Sequence, residues 1–215
     1  MGTLSERSFL EKVRAGHRRL GDLRMEREAA IQKVLEFAKS CQYEAEHSHQ
    51  DAKLALKLFD ELRPLHGLGD EERLWLECAA FLHDIGWLKG KTEHHKTARD
   101  MIVGSDIPFS DREKVMIALI ARYHRRALPK ETHKYYSDLN GPDKERVKKA
   151  AALLRIADGL DRGHNSAVKD LSCKVIGDTI VIKTYSEKDA GLEKEFGKIK
   201  ADLFEEVFKK QVTFE

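Results

Sequence analysis

From Arg27 to Ser40 the apolar positions Ala30, Ile31, Val34, Leu35 and Ala38 step at three and four residues, which predicts an amphipathic helix. A second helix is predicted from about Glu44 to Leu62, with Ala52, Leu54, Ala55, Leu58 and Phe59 facing inward. Arg63-Pro64 ends it, because proline disfavours helical geometry in the residue before it. Asp70 suits the N-cap of a third helix, with Arg73 where a capping box needs an acid, so the box is expected to be incomplete. That helix carries Leu74, Trp75, Leu76, Cys78, Ala79, Ala80, Phe81 and Leu82, apolar on nearly every side, and should be the central one. Further helices are predicted at about 92–103, 111–123 and 142–161, and the basic stretch Leu4–Leu23 reads as a short helix or arm.

After His164 the pattern changes to alternation. Leu171–Ile176 and Thr179–Tyr185 are β-rich runs flanking Gly177-Asp178, a hairpin turn. A helix from about Leu192 to Lys209 and a strand at Val212–Phe214 complete the tail. The expected fold class is mainly α, a helical bundle with a small C-terminal β-β-α-β tail. The chain divides into an arm (1–26), a helical domain (27–165) and a small α+β subdomain (166–215). Two paired strands are marginal alone, so the hairpin must pack on the bundle.

Composition narrows the classes of function. The chain has 215 residues, 41% of them hydrophobic, enough for one substantial core. Charged residues make up 35%, but 39 Lys+Arg nearly cancel 37 Asp+Glu, leaving +2. That balance argues against a dedicated nucleic-acid binder. Cys41, Cys78 and Cys173 are too few and too irregularly spaced for a disulfide framework or a zinc ribbon. With no membrane-spanning run and no signal-peptide pattern, a cytoplasmic protein is expected.

Ten histidines are the less ordinary number, and their placement matters more than their count. His83-Asp84 closes the most apolar helix. A histidine there meets the helix dipole favourably, but an aspartate has the wrong sign and needs a partner. His47 lies on the second helix, and Asp158 interrupts the apolar run Ala151–Ala157. Imidazole and carboxylate together suit a divalent transition metal such as Mn, Fe, Co, Ni or Zn. Helical bundles build such sites from inward side chains on separate helices.

The order His47, His83-Asp84, Asp158 resembles the H…HD…D signature of HD-domain metal-dependent phosphohydrolases. Phe81–Gly86, His94-His95-Lys96, Ala121–Arg126 and Leu154–Arg162 are similar to the C-terminal HD module of exopolyphosphatase/guanosine pentaphosphate phosphohydrolase proteins, over roughly Arg27 to the C-terminus. The larger members carry an actin-like catalytic region, so the expectation here is a stand-alone HD module whose chemistry comes from its own metal site. The resemblance implies that His47, His83, Asp84 and Asp158 bind one divalent ion, with Mg added to the metals above. His94 and His124 fall where binuclear relatives hold a second metal, with Asp84 bridging. Phosphate binding or solvent exposure are the alternatives for those two histidines. His95 points about 100° away from His94 on a helix.

A bound divalent ion activates water and polarises a phosphoryl oxygen, and cations then stabilise the phosphate. Between Gly86 and Lys134 eleven Lys/Arg face six Asp/Glu, a local surplus that the net charge hides. Asp84, His124 and Arg122 are the candidate catalytic residues, with Arg125, Arg126 and Lys96 binding substrate phosphate. The activity implied by the resemblance is hydrolysis of a phosphate ester or anhydride, nucleotide- or alarmone-like. The alternatives are a non-catalytic polyphosphate- or nucleotide-binding module beside a separate catalytic partner, and a silent homodimer joined through the β tail. Asp161 is read mainly as a salt-bridge partner of Arg155 or Arg162, and otherwise as a group orienting a ligand or water. His49 and His66 are read as surface residues, and His17 and His164 suggest no role. Cys78 and Trp75 are core residues, and Trp87 is a packing anchor or the floor of a pocket.

Overall fold

The computed structural model describes residues 24–90, 92–125 and 127–215, so the N-terminal arm, Lys91 and Arg126 lie outside it. Helix α1 (residues 24–40) leads into α2 (Ala45–Glu61), the single turn α3 (Arg63–His66) and α4 (Asp70–Leu82). A 3₁₀ turn (Ile85–Lys89) connects to α5 (His94–Val103), α6 (Asp111–Arg122) and α7 (Gly141–Leu160). Helices α2, α4, α6 and α7 pack on one another, and α5 lies against α6 and the 3₁₀ turn.

Helix α4 is central, as its all-round apolar pattern predicts: Trp75, Leu76, Cys78, Ala79, Ala80 and Leu82 have no solvent exposure. Its start differs from expectation by one residue. Gly69 precedes the helix and donates its N–H to Glu72 Oε2 at 2.7 Å, so the acid that completes the N-terminus is Glu72 and the position of Arg73 is irrelevant. Ser110 and Glu113 make a reciprocal box at α6, and Asn140 Oδ1 accepts from the Asp143 N–H at 2.8 Å at α7.

The C-terminal tail is β1 (Val168–Ile176), β2 (Thr179–Ser186), α8 (Gly191–Ile199), α9 (Asp202–Phe208) and β3 (Gln211–Phe214). β1 and β2 pair antiparallel with Ile176 opposite Thr179, and Gly177 takes the left-handed conformation (φ 56°) that closes the turn. β3 pairs parallel to β2, giving the order β1-β2-β3. The chain is thus mainly α with a C-terminal β tail. The single helix expected over 192–209 is two helices. The break at Lys200-Ala201 lets Lys200 reach Asp158 and Asp202 reach Arg155, both on α7. Arg155 Nε and Nη2 donate to Asp202 Oδ1 at 2.9 and 2.6 Å.

One buried cluster runs from the bundle into the tail, taking in Leu160, Leu171, Ile180, Ile182, Phe204 and Val212. Helices α7 and α8 approach closely: a Cβ at Gly159 would stand 2.8 Å from Gly197 Cα. This contact sets the height at which Lys200 enters the bundle. No helix among the described residues is long and apolar enough to cross a membrane. All three cysteines are free thiols.

Candidate metal centre

Four helices deliver ionisable side chains to one buried point. Helix α2 supplies His47 and Asp51, one turn apart on its inner face. Helix α4 ends at His83, with Asp84 opening the following turn. Helix α7 supplies Asp158 and Asp161, and His124 follows the end of α6. His47, Asp51, His83 and Asp158 offer ligand atoms within 4.8 Å of one another, and His83, Asp84 and His124 do the same. His83 belongs to both groups.

The donor atoms stand at contact distance without bonding each other. His47 Nε2 is 3.5 Å from Asp51 Oδ2 and 3.7 Å from Asp158 Oδ1. His83 Nε2 is 3.6 Å from both Asp51 Oδ2 and Asp84 Oδ2. Donors that share one ion at about 2.1 Å stand roughly 3 to 3.5 Å apart. His47 Nε2, His83 Nε2, both Asp51 oxygens and Asp84 Oδ1 are buried without a hydrogen-bond partner among the described residues. Leaving so many polar atoms unmatched in a core is costly unless something else meets them.

The opposite edge of each imidazole is tied down. His83 Nδ1 donates to Ala80 O at 2.7 Å, and His124 Nδ1 donates to Ala121 O at 2.7 Å. A carbonyl only accepts, so the proton is on Nδ1 and the Nε2 lone pair points inward in both neutral rings. His47 Nδ1 lies 2.8 Å from Asp161 Oδ2. Asp161 is fully buried, and its other oxygen accepts from the Ser166 N–H. Asp161 thus pairs with His47 and not with either arginine. Arg155 is taken by Asp202, and the Arg162 guanidinium lies 4.8 Å from the Phe196 ring centre.

Burial lowers the His47 pKa, but the Asp161 hydrogen bond and the charges of Asp51 and Asp158 outweigh it and raise the group to about 9. Burial also pushes the Asp51 carboxyl well above its usual range. His83 and His124 are held down chiefly by burial, which favours the neutral, ligating ring. Burial acts upward on Asp84, yet His83, His94 and His124 overcome it and keep the carboxylate ionised. Asp158 is held low against burial by Lys200, then His124 and His83. Lys200 Nζ contacts Asp158 Oδ2, leaving Oδ1 toward His47.

The other predicted residues separate into two hollows. His94 Nε2 and His124 Nε2 lie 3.2 and 3.4 Å from Asp84 Oδ1, so both gather on the side of Asp84 away from α2. A cleft of about 350 Å³ opens over Asp84, His124 and Asp158, with Arg125, Arg162 and Lys200 on its walls and Trp87 and Phe196 as apolar surface. Trp87 stacks on His94 with ring centres 4.7 Å apart. Arg122 and Lys96 line the neighbouring hollow, which shares His94 and Arg125 with the metal side. His164 is exposed and stacks on His47 at 3.8 Å, whereas His49 is exposed and bonds Tyr43. His66 departs from its reading as a surface residue: it is 1% exposed, donates to Phe59 O and accepts from the Leu68 N–H.

Asp51 and Lys200 were missed by sequence reasoning, and Arg162 was read only as a partner of Asp161. Asp51 carried a usable signal, since 47, 51, 54, 55 and 58 share one helical face and the last three are apolar. Lys200 carried none, because its place depends on the break between α8 and α9.

A helical bundle that converges histidines and aspartates from separate helices, with their ligating atoms unmatched, is a candidate metalloprotein. The model of the Ppx/GppA phosphatase, domain III family matches residues 27–206, and the chain belongs to that family. No curated protein matches the chain.

Proposed function

We propose that the chain is a metal-dependent phosphohydrolase acting on a phosphate ester or anhydride, nucleotide- or alarmone-like, in a reducing, cytoplasmic setting. The observation that carries this reading is the set of Nδ1-anchored histidines whose Nε2 atoms face buried, unmatched carboxylate oxygens. The donor set fits a divalent transition metal, with nitrogen and oxygen ligands but no thiolate. His47, Asp51, His83, Asp84 and Asp158 would hold it, and His94 and His124 would hold a second ion on the far side of Asp84. Such an ion supplies Lewis-acid activation of water and of a phosphoryl oxygen.

The chain's own residues do the rest. Asp161 fixes the His47 ring, and Ala80 O and Ala121 O fix those of His83 and His124, so the rings need no reorientation, and His47 would give up a proton to an incoming ion. Asp84 and His124, on the floor of the cleft, are the candidate reacting groups, and Asp84, kept ionised by the histidines around it, would orient a water by accepting its hydrogen bond. Arg125, Arg162 and Lys200 bring cations to the walls, where charge develops on a phosphate. Trp87 and Phe196 offer flat surface to an organic group. Residues 27–165 would form the metal-binding domain and 166–215 the subdomain that supplies Lys200.

The test is hydrolysis of a generic phosphomonoester, a phosphodiester and a nucleotide panel with Mn²⁺, Mg²⁺, Co²⁺ or Ni²⁺. Metal-dependent turnover that falls at least a hundredfold in His83→Ala and Asp84→Ala is expected. Absence of turnover with every metal, or turnover indifferent to both substitutions, rejects the reading.

A further inference from the structure

Beside the metal centre, across His94 and Arg125, lies a second and larger hollow of about 850 Å³. Arg122, the last residue of α6, lines it while only 3% exposed. Its Nε and Nη1 have no hydrogen-bond acceptor and its guanidinium makes no ion pair among the described residues. The guanidinium carbon lies 5.5 Å from the Tyr123 ring centre, a contact that satisfies none of its N–H groups, and unmatched donors on a buried charge mark a place where something else completes them.

The surroundings are mostly cationic, with Glu93 the carboxylate among the described lining residues. Lys96 is matched by Glu93, and Arg99 and Lys134 share Asp100, so those three cations are already compensated. Arg122 and Arg125 have no carboxylate of their own in the described structure. Arg125 Nη1 instead lies 3.1 Å from His94 Nε2. The positive end of α5 opens into the same hollow. His133, which also lines the hollow, is pushed down by burial and then by the charges of Arg122, Lys130 and Arg99. The Tyr123 hydroxyl engages its Nδ1 at 2.9 Å, and the ring brings no negative charge.

We propose that this hollow is an oxyanion site for one phosphoryl-sized group, with Arg122 as its buried donor, separate from the metal centre. The planar guanidinium presents paired N–H groups that match two oxygens of a phosphate. The remaining oxygens would face Arg125 and the start of α5. A planar carboxylate has too few oxygens to meet cations on several walls. The ligand is either the free phosphate ion or the phosphoryl end of a larger molecule. The site does not depend on the metal reading, because none of its donors needs an ion to be in place.

Isothermal titration of the full chain with inorganic phosphate tests it, as purified and again in EDTA. Binding of one phosphate per chain in both conditions is expected, at least tenfold weaker in Arg122→Met. Removing an unpaired buried charge should leave the melting temperature of that variant at or above that of the natural chain. Arg122→Lys, which keeps the charge but loses the fork, should bind with intermediate affinity, and gives the same reading should Arg122→Met not fold. Equal competition by phenyl phosphate assigns the phosphoryl end of a larger molecule, and failure of phenyl phosphate to compete assigns the free ion. Loss of binding in EDTA would put the phosphate on a metal, and affinity unchanged by both Arg122 substitutions would put it elsewhere; either overturns the proposal. Hydrolysis is not read here, so failure of the phosphohydrolase assay leaves this result independent.

Discussion

At His47 the geometry of one ring edge decides what the other can do. Asp161 holds Nδ1 at 2.8 Å, and Nε2 faces Asp51 and Asp158. Replacing Asp161 with asparagine keeps the shape but removes the charge that orients the ring. Outer partners of metal-binding histidines are worth about 10- to 100-fold in affinity, and a loss of that size is predicted for Asp161→Asn in a Mn²⁺ titration. Unchanged affinity would show that His47 is not a ligand. His66 makes a different prediction. Its neutral ring is required, since Nδ1 accepts from Leu68 while Nε2 donates to Phe59 O. Burial lowers its pKa and outweighs the upward pull of the Phe59 bond, with Arg63 and Lys149 adding to the lowering. The unfolded chain therefore takes up this proton first, at about pH 6.5, and stability falls as pH drops from there through the folded value. Above about pH 6.5 the group contributes no pH dependence. Urea midpoints between pH 7 and 5 should slope less in His66→Gln than in the natural chain, and equal slopes would contradict the account. The clustering of His47, His83 and Asp158 was legible because polar residues interrupt apolar helical faces in a familiar order. Asp51 was not singled out, since an aspartate four residues after a histidine is common on a solvated face. His66 was misread because its partners are backbone groups, which leave no mark in a sequence.

Elements place these residues through two close approaches. A Cβ at Gly86 would lie 1.9 Å from His94 O, so the turn after Asp84 packs directly on the start of α5 and sets the position of His94. At the other side a Cβ at Gly159 would lie 2.8 Å from the Gly197 backbone and the Phe196 carbonyl. Neither contact can yield by rotating a side chain. Gly86→Ala and Gly159→Ala are each predicted to cost about 1 to 3 kcal/mol or more in urea denaturation, as overpacking does. Gly159→Ala should also weaken any effect of Lys200 on Asp158, because it lifts α8. A loss below about 0.5 kcal/mol would show that the helices are not in the contact described. Helix positions followed from periodicity, and their ends shifted by one to three residues. The division of the last helix was not legible. Asp202 meeting Arg155 and Lys200 meeting Asp158 are tertiary contacts, and local propensity for a continuous helix gave way to them.

For the whole molecule, a net charge of +2 conceals two opposite environments. Carboxylates crowd the point where α2, α4 and α7 meet, and cations line the hollows beside it. An ion bound at that point ties the bundle's helices together and, binding only the folded chain, must raise its stability. At a hundred times its dissociation constant the gain is about 2.7 kcal/mol, so Mn²⁺ should raise the melting temperature and EDTA reverse the rise. On the proposed reading His83 lies at the junction of the metal centre. The most direct measurement is elemental analysis of the full chain after equilibration with Mn²⁺ and dialysis, beside His83→Ala treated identically. The account predicts at least one equivalent of metal in the natural chain and at least a tenfold lower content in the variant. A natural chain that retains no metal, or a variant that retains as much, would contradict it.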